Sequence, residues 1–102
     1  MKQHILIQQV KTSKLKDLDF NNISLGTVFT DHMFICDYSN GSWGIPKIQP
    51  LEHIPTHPAA MALHYGQAIF EGMKATLDTH GKPLLFRPQK NATRLNFSAD
   101  RM

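Results

Sequence analysis

Arg94, Ser98 and Arg101 recur at spacings of four and seven near the end of the sequence. On a helix, residues so spaced share a face. Two guanidiniums and a hydroxyl on one face could seat an anion, because arginine offers a planar fork of donors that matches phosphate or carboxylate. One charge-assisted hydrogen bond of that kind is worth roughly 1.5–3 kcal/mol. Spacing alone fits a solvated helix face better than a site. Lys74, in "HYGQAIFEGMKA" (64–75), is a candidate reactive amine. A catalytic lysine needs a desolvated or electropositive pocket that favours its neutral form, and nothing in "GMKAT" promises one. Tyr65 and Phe70 stand five residues apart in the same stretch, about 140° round a helix of 3.6 residues per turn. They cannot both face one core, and the spacing leaves open which of them projects. By residue type alone both are core aromatics.

The other chemistry-bearing residues carry weaker patterns. His53 and His57 have helical spacing, but Pro55 lies between them and forbids a helix interior there. No Cys-x-x-Cys or His-Glu-x-x-His is present, so no metal site is expected. Cys36 follows Phe34 and Ile35, which places it in a strand as a small hydrophobe rather than a nucleophile. Asp31 and His32 are adjacent. On a strand, neighbours point to opposite faces, so an acid–base pair is not expected.

These residues need elements to hold them. Residues 4–10, "HILIQQV", have the apolar character of a strand, with Ile5 and Ile7 on one face. "KTSKLKDLDFNNISLGT" is polar and rich in turn formers and reads as a tether. "VFTDHMFICDYS" reads as a strand, with Phe29, Met33 and Ile35 broadly alternating with polar neighbours. Asn40-Gly41 is a dipeptide suited to positive φ and predicts a hairpin into "SWGIPKIQPL". Pro46 and Pro50 demote that run to an edge strand or loop. Thr56 is placed to cap a helix that starts near Pro58, runs to about Phe70 or Glu71 and ends at Gly72. A second hairpin with His80-Gly81 at its tip follows, and Pro88 opens a last helix with Leu95, Ala99 and Met102 on its buried face. The order of strands, helix, hairpin and helix is an α+β pattern.

Composition narrows the function classes. The 102 residues suffice for one small domain. A hydrophobic share of 41% is that of a globular protein. The net charge of +3 is mild and the basic residues are scattered, whereas a nucleic-acid protein gathers them on one face. A single cysteine allows no internal disulfide. The apolar start is too short for a signal peptide and lacks a cleavage site. No apolar run approaches the roughly 20 residues that a membrane helix needs. Cytoplasm is the expected compartment. The last helical pattern reaches Met102 without a stop signal, so the chain reads as the front piece of something longer.

Taken as strings, "FTDHMF" (29–34), "HYGQAIFEGMKA" (64–75) and "LFRPQKNATRLNFSADRM" (85–102) resemble the N-terminal part of branched-chain amino-acid aminotransferases. That family belongs to the fold-type IV enzymes, which use pyridoxal 5'-phosphate. The resemblance runs from about Leu25 to Met102 and keeps the motifs in family order. It implies transfer of the amino group of leucine, isoleucine or valine to 2-oxoglutarate, giving glutamate and a branched-chain 2-oxo acid. It also implies that Arg94, in "NATRLN", binds the cofactor phosphate, and that Phe70 and Tyr65 line the wall of the substrate side-chain pocket. Lys74 matches a non-catalytic lysine at the start of a strand, while the Schiff-base lysine would belong to a second, larger domain downstream. Residues 1–24 are then an N-terminal strand and polar tether, and residues 25–102 most of the small domain of an enzyme that is typically a homodimer. The 102 residues alone are expected to be inactive. The alternatives are another fold-type IV enzyme, such as a D-amino-acid aminotransferase or aminodeoxychorismate lyase, and a free-standing module that binds an anion through Arg94 and Arg101.

Overall fold

The computed structural model describes residues 4–102; the first three residues of the apolar start lie outside the described residues. Contacts divide the chain into two units, with the division between Ile54 and Pro55.

The first unit is built on a three-stranded sheet. Strands β1 (Leu6–Ile7), β2 (His32–Ile35) and β5 (Lys47–Pro50) lie in the order β1-β5-β2. β5 pairs antiparallel with β2, with His32 opposite Pro50 and Phe34 opposite Ile48, and parallel with β1, with Leu6 opposite Lys47. The alternation expected around Met33 and Ile35 holds from Met33 to Ile35, where both are half-buried and Phe34 is 62% exposed, but not at His32, which is half-buried like its neighbour Met33. Phe29 is exposed and precedes the strand.

The demotion of β5 to an edge is corrected: it is the central strand. Its prolines sit where the ladder asks nothing of their missing N–H. Pro46 precedes the strand and contributes its carbonyl, which accepts from Leu6 N–H at 3.0 Å. Pro50 closes the strand, and the next residue, Leu51, donates to Asp31 O at 2.9 Å. β1 is also shorter than the run 4–10 predicts, because pairing with β5 is confined to Leu6 and Ile7.

Between β2 and β5, strands β3 (Tyr38–Ser39) and β4 (Ser42–Trp43) form the hairpin that Asn40-Gly41 predicts. The turn places Asn40 at φ 50 and Gly41 at φ 78, the two positive values that a two-residue hairpin turn matching strand twist requires. Tyr38 and Trp43 meet edge to face across it, with ring centroids 5.0 Å apart. The segment read as a tether carries a 3-10 turn over Lys14–Asp17.

The second unit starts with a short helix, α1 (Met61–Tyr65), entered through Ala60. The predicted helix from Pro58 to Phe70 or Glu71 is therefore too long. Gly66 adopts φ 62 and its N–H bonds back to Met61 O, so the left-handed residue that ends the helix is Gly66 rather than Gly72. An irregular stretch carries Phe70 and Glu71 to the hairpin β6 (Ala75–Leu77) and β7 (Pro83–Leu85). Asp78 organises its tip by accepting from the N–H groups of His80 and Lys82, both at 2.8 Å, with Gly81 at φ 76.

Helix α2 (Pro88–Ala99) starts with Pro88 in its first turn, as its missing N–H allows. Its half-buried stripe is Pro88, Asn91, Leu95 and Ser98, and Ala99 and Met102 are exposed. The expected face is thus right at Leu95 and wrong at the other two positions. The helix ends before Met102: Asp100 N–H bonds to Asn96 O and Arg101 N–H to Ser98 O, closing a final turn.

Among the described residues none is fully buried, and Leu25, Phe70 and Phe86 are among the most exposed large apolar side chains. A strand pair or helix is stable only with its apolar face covered, and these faces lie open within each unit.

Candidate functional site

Arg94 lies on α2 and reaches the carboxylate of Glu71, which the irregular stretch after α1 presents. Its Nε donates to Glu71 Oε2 at 2.5 Å, and its Nη2 donates to Oε1. Asn91, one turn earlier on the same helix face, donates its side-chain N–H to Glu71 Oε1 at 3.0 Å and to Gly72 O at 2.9 Å. Glu71 is thus the hub that ties "FEG" to α2. Its side chain is 11% exposed, against 65% for that of Arg94. The Arg94 bonds first, and the Asn91 bond second, hold the Glu71 carboxyl down at about 2. Glu71 in turn raises Arg94 above the ordinary guanidinium value. A carboxylate held ionised this firmly is no proton donor near neutral pH.

Beside Arg94 lies a hollow of about 320 Å³ lined by Phe86, Arg87, Lys90, Asn91 and Arg94. Positions 87, 90, 91 and 94 follow the three-and-four spacing of one helix face. Arg87 holds φ 49 at the helix entrance, a backbone state that costs a non-glycine residue of order 1 kcal/mol. Its carbonyl accepts from Lys90 N–H at 2.9 Å. Three cationic side chains around one hollow form a donor set suited to an anion, while the Asn91 N–H groups are already given to Glu71 and Gly72.

Spacing alone groups Arg94 with Ser98 and Arg101 instead. The Ser98 hydroxyl donates to Arg94 O at 3.1 Å, the back-bond a mid-helix serine commonly makes. Arg101 lies past the helix end at Ala99. The basic partners of Arg94 are therefore toward the N-terminus of α2. Glu71, Asn91, Arg87 and Lys90 were missed. The last three were readable as a face with Arg94 once the helix start at Pro88 was taken as given.

Tyr65 is the last residue of α1 and is 74% exposed; Phe70 precedes Glu71 and is 91% exposed. Neither lines the hollow at Arg94. Lys74 stands immediately before β6.

In the first unit, Asp31 and His32 both serve the segment that leads to them. Asp31 accepts from the Ser13 hydroxyl at 2.6 Å and from Lys14 N–H at 3.1 Å, and His32 Nε2 accepts from Val10 N–H at 3.0 Å. The expectation that one points inward and the other outward is not met, because Asp31 lies just before β2 begins. Cys36 is a free thiol that donates to Gly44 O at 3.4 Å. His57 Nδ1 accepts from Ala59 N–H and His64 Nε2 meets Pro58 O, so both help shape the entrance to α1. Among the described residues, no group of three or more His, Cys, Asp or Glu is placed to hold a metal ion, and no helix is long and apolar enough to cross a membrane.

No family model matches the chain. Individual proteins do. It is 48% identical over 102 residues to branched-chain-amino-acid aminotransferase 2 of Bacillus subtilis, covering 99% of this chain and 28% of that protein. It is 43% identical over 99 residues to branched-chain-amino-acid transaminase 1 of the same organism, covering 95% of this chain and 28% of that protein. It is 42% identical over 88 residues to the branched-chain-amino-acid aminotransferase of Haemophilus influenzae, covering 86% and 26%. With its small α+β architecture, the chain is a segment of an aminotransferase. Within that class it belongs to the branched-chain amino-acid aminotransferases, and it spans about a quarter of the length of the curated relatives it matches.

Proposed function

We propose that this chain forms part of a branched-chain-amino-acid transaminase that moves the amino group of leucine, isoleucine or valine to 2-oxoglutarate with pyridoxal 5'-phosphate as cofactor. The observation that carries the reading is 48% identity across 99% of the chain to a protein of that name. Residues 25–102 would be most of its small domain, preceded by the strand and polar segment of residues 1–24. The working enzyme would be a cytoplasmic homodimer, with the amine that links to the cofactor supplied from outside these residues.

Arg94 would bind the cofactor phosphate. What supports this is the chemistry of the hollow it lines: Arg87 and Lys90 add positive charge beside it, and a guanidinium fork matches phosphate oxygens. When bound, the cofactor supplies the electron sink on which amino transfer runs; the protein supplies position and electrostatics. Phe70 and Tyr65 would shelter the branched side chain. Their rings are largely free in this unit and so have apolar surface left to cover a substrate. Each methylene buried there is worth about 0.8 kcal/mol. Lys74 would have no chemical role.

The test compares leucine with D-alanine as amino donor to 2-oxoglutarate, using the full-length enzyme that carries this segment. Leucine is expected to be preferred. A preference for D-alanine would overturn the substrate assignment, and turnover by the 102-residue chain alone would overturn the division of labour.

A further inference from the structure

We infer that Glu71 is a positioning residue for the anion site, clamping one edge of the Arg94 guanidinium so that its other edge faces the phosphate. The inference rests on the reading of Arg94 as a phosphate ligand and deepens it.

The geometry gives the reason. A guanidinium carries five N–H donors in one plane. Glu71 takes two of them, from Nε and from Nη2, side-on. A side-on pair fixes the plane as well as the distance. Three N–H groups remain, all directed away from Glu71. The carboxylate itself is also held by Asn91, whose Nδ2 donates to Oε1 at 3.0 Å. It is the shielded partner, at 11% exposure, while Arg94 stands open at 65%. The sheltered member of the pair is thus the anchor and the open member is the one presented.

Charge alone argues the opposite way. Glu71 cancels one positive charge beside an anion site, so a purely electrostatic view makes it a competitor for Arg94. Removing its charge would then tighten anion binding. If Glu71 positions Arg94, removing it loosens binding, because the arginine must be ordered anew for each anion. The two views differ in sign.

The experiment uses the full-length enzyme that carries this segment. Affinities for pyridoxal 5'-phosphate and for unphosphorylated pyridoxal are measured by equilibrium binding, and their ratio is read. General damage to the fold lowers both affinities and leaves the ratio in place; damage to the phosphate contact lowers the ratio. Arg94→Ala is expected to lower the ratio about 10- to 100-fold. Glu71→Gln is expected to lower it about tenfold and to add nothing in the Arg94→Ala background. Glu71→Asp keeps the charge but withdraws it by one methylene, and is expected to lower the ratio as well. An unchanged or raised ratio in Glu71→Gln, with a lowered one in Arg94→Ala, would sink the inference and leave the phosphate role of Arg94 standing. An unchanged ratio in Arg94→Ala would remove the reading on which it rests.

Discussion

The carboxylate of Asp31 grips Ser13 across eighteen intervening steps of chain, accepting from its hydroxyl at 2.6 Å. The same carboxylate takes Lys14 N–H, and Ser13 Oγ accepts from Leu15 N–H at 3.1 Å, so the capping residue Ser13 and the first two residues of the 3-10 turn are tied to the threshold of β2. The polar segment that resembles a free tether in sequence is fastened at this point.

The first prediction concerns that clasp. The Ser13 hydroxyl, then the Lys14 N–H, hold Asp31 below its ordinary value of 3.8. A carboxyl lowered on folding stabilises the clasp above its unfolded pKa and ceases to do so as pH falls through the folded value. Asp31→Asn and Ser13→Ala are therefore expected to speed amide hydrogen exchange at Lys14 and Leu15 near neutral pH. In the unmodified protein the same acceleration, relative to intrinsic rates, is expected only below about pH 3.8. Exchange at these amides that ignores both substitutions would contradict the clasp.

A second prediction follows from Glu71, whose carboxyl lies at about 2 rather than 4.5. Its contribution is in full force above about pH 4.5 and is lost as the pH drops toward 2. The pair with Arg94 is expected to stay ionised throughout the neutral and mildly acidic range. A carbon NMR titration of the Glu71 carboxyl should show its midpoint near 2, moving up toward the ordinary glutamate value in Arg94→Ala. A midpoint near 4.5 in the unmodified protein would mean that the pair does not form in solution.

Gly66 supplies the third. A β-carbon there meets nothing within 4 Å, so space is no obstacle, but φ 62 is unfavourable for any other L-residue. Gly66→Ala is expected to cost about 1 kcal/mol through backbone strain alone. Urea unfolding of the full-length enzyme measures it. A neutral result would mean that α1 does not end in this left-handed residue.

The fourth tests the substrate wall. In the full-length enzyme, Phe70→Ala is expected to lower kcat/KM for leucine about 10- to 100-fold, the worth of a few buried methylenes. Turnover of glutamate, whose side chain is not aliphatic, should fall less. Equal losses for both donors would remove Phe70 from the specificity pocket.

Local chemistry made parts of the fold readable. Asn40-Gly41 and His80-Gly81 announce their hairpins because positive φ is a property of the turn residues themselves. Pro88 announces α2 for the same reason: its fixed φ and absent N–H suit a first turn. The length of α1 was harder, since Gly66 and Gly72 both could end it and the choice depends on what the chain does next. β5 was misplaced because its position in the sheet depends on β1, about forty residues earlier, and no local pattern encodes a parallel pairing at that distance.

The sequence by itself determined which residues could bind an anion or line an apolar wall, since guanidinium and aromatic ring carry those capacities wherever they stand. It also determined the family, because branched-chain aminotransferases match it at 43–48% identity across nearly the whole chain. Only the tertiary structure decided which residues work together. Arg94 meets Glu71 across 23 positions, and the basic face at the start of α2 replaces the one expected toward its end. The physical reason is that a charge acts on whatever lies within a few ångströms, and chain folding rather than chain order sets that neighbourhood.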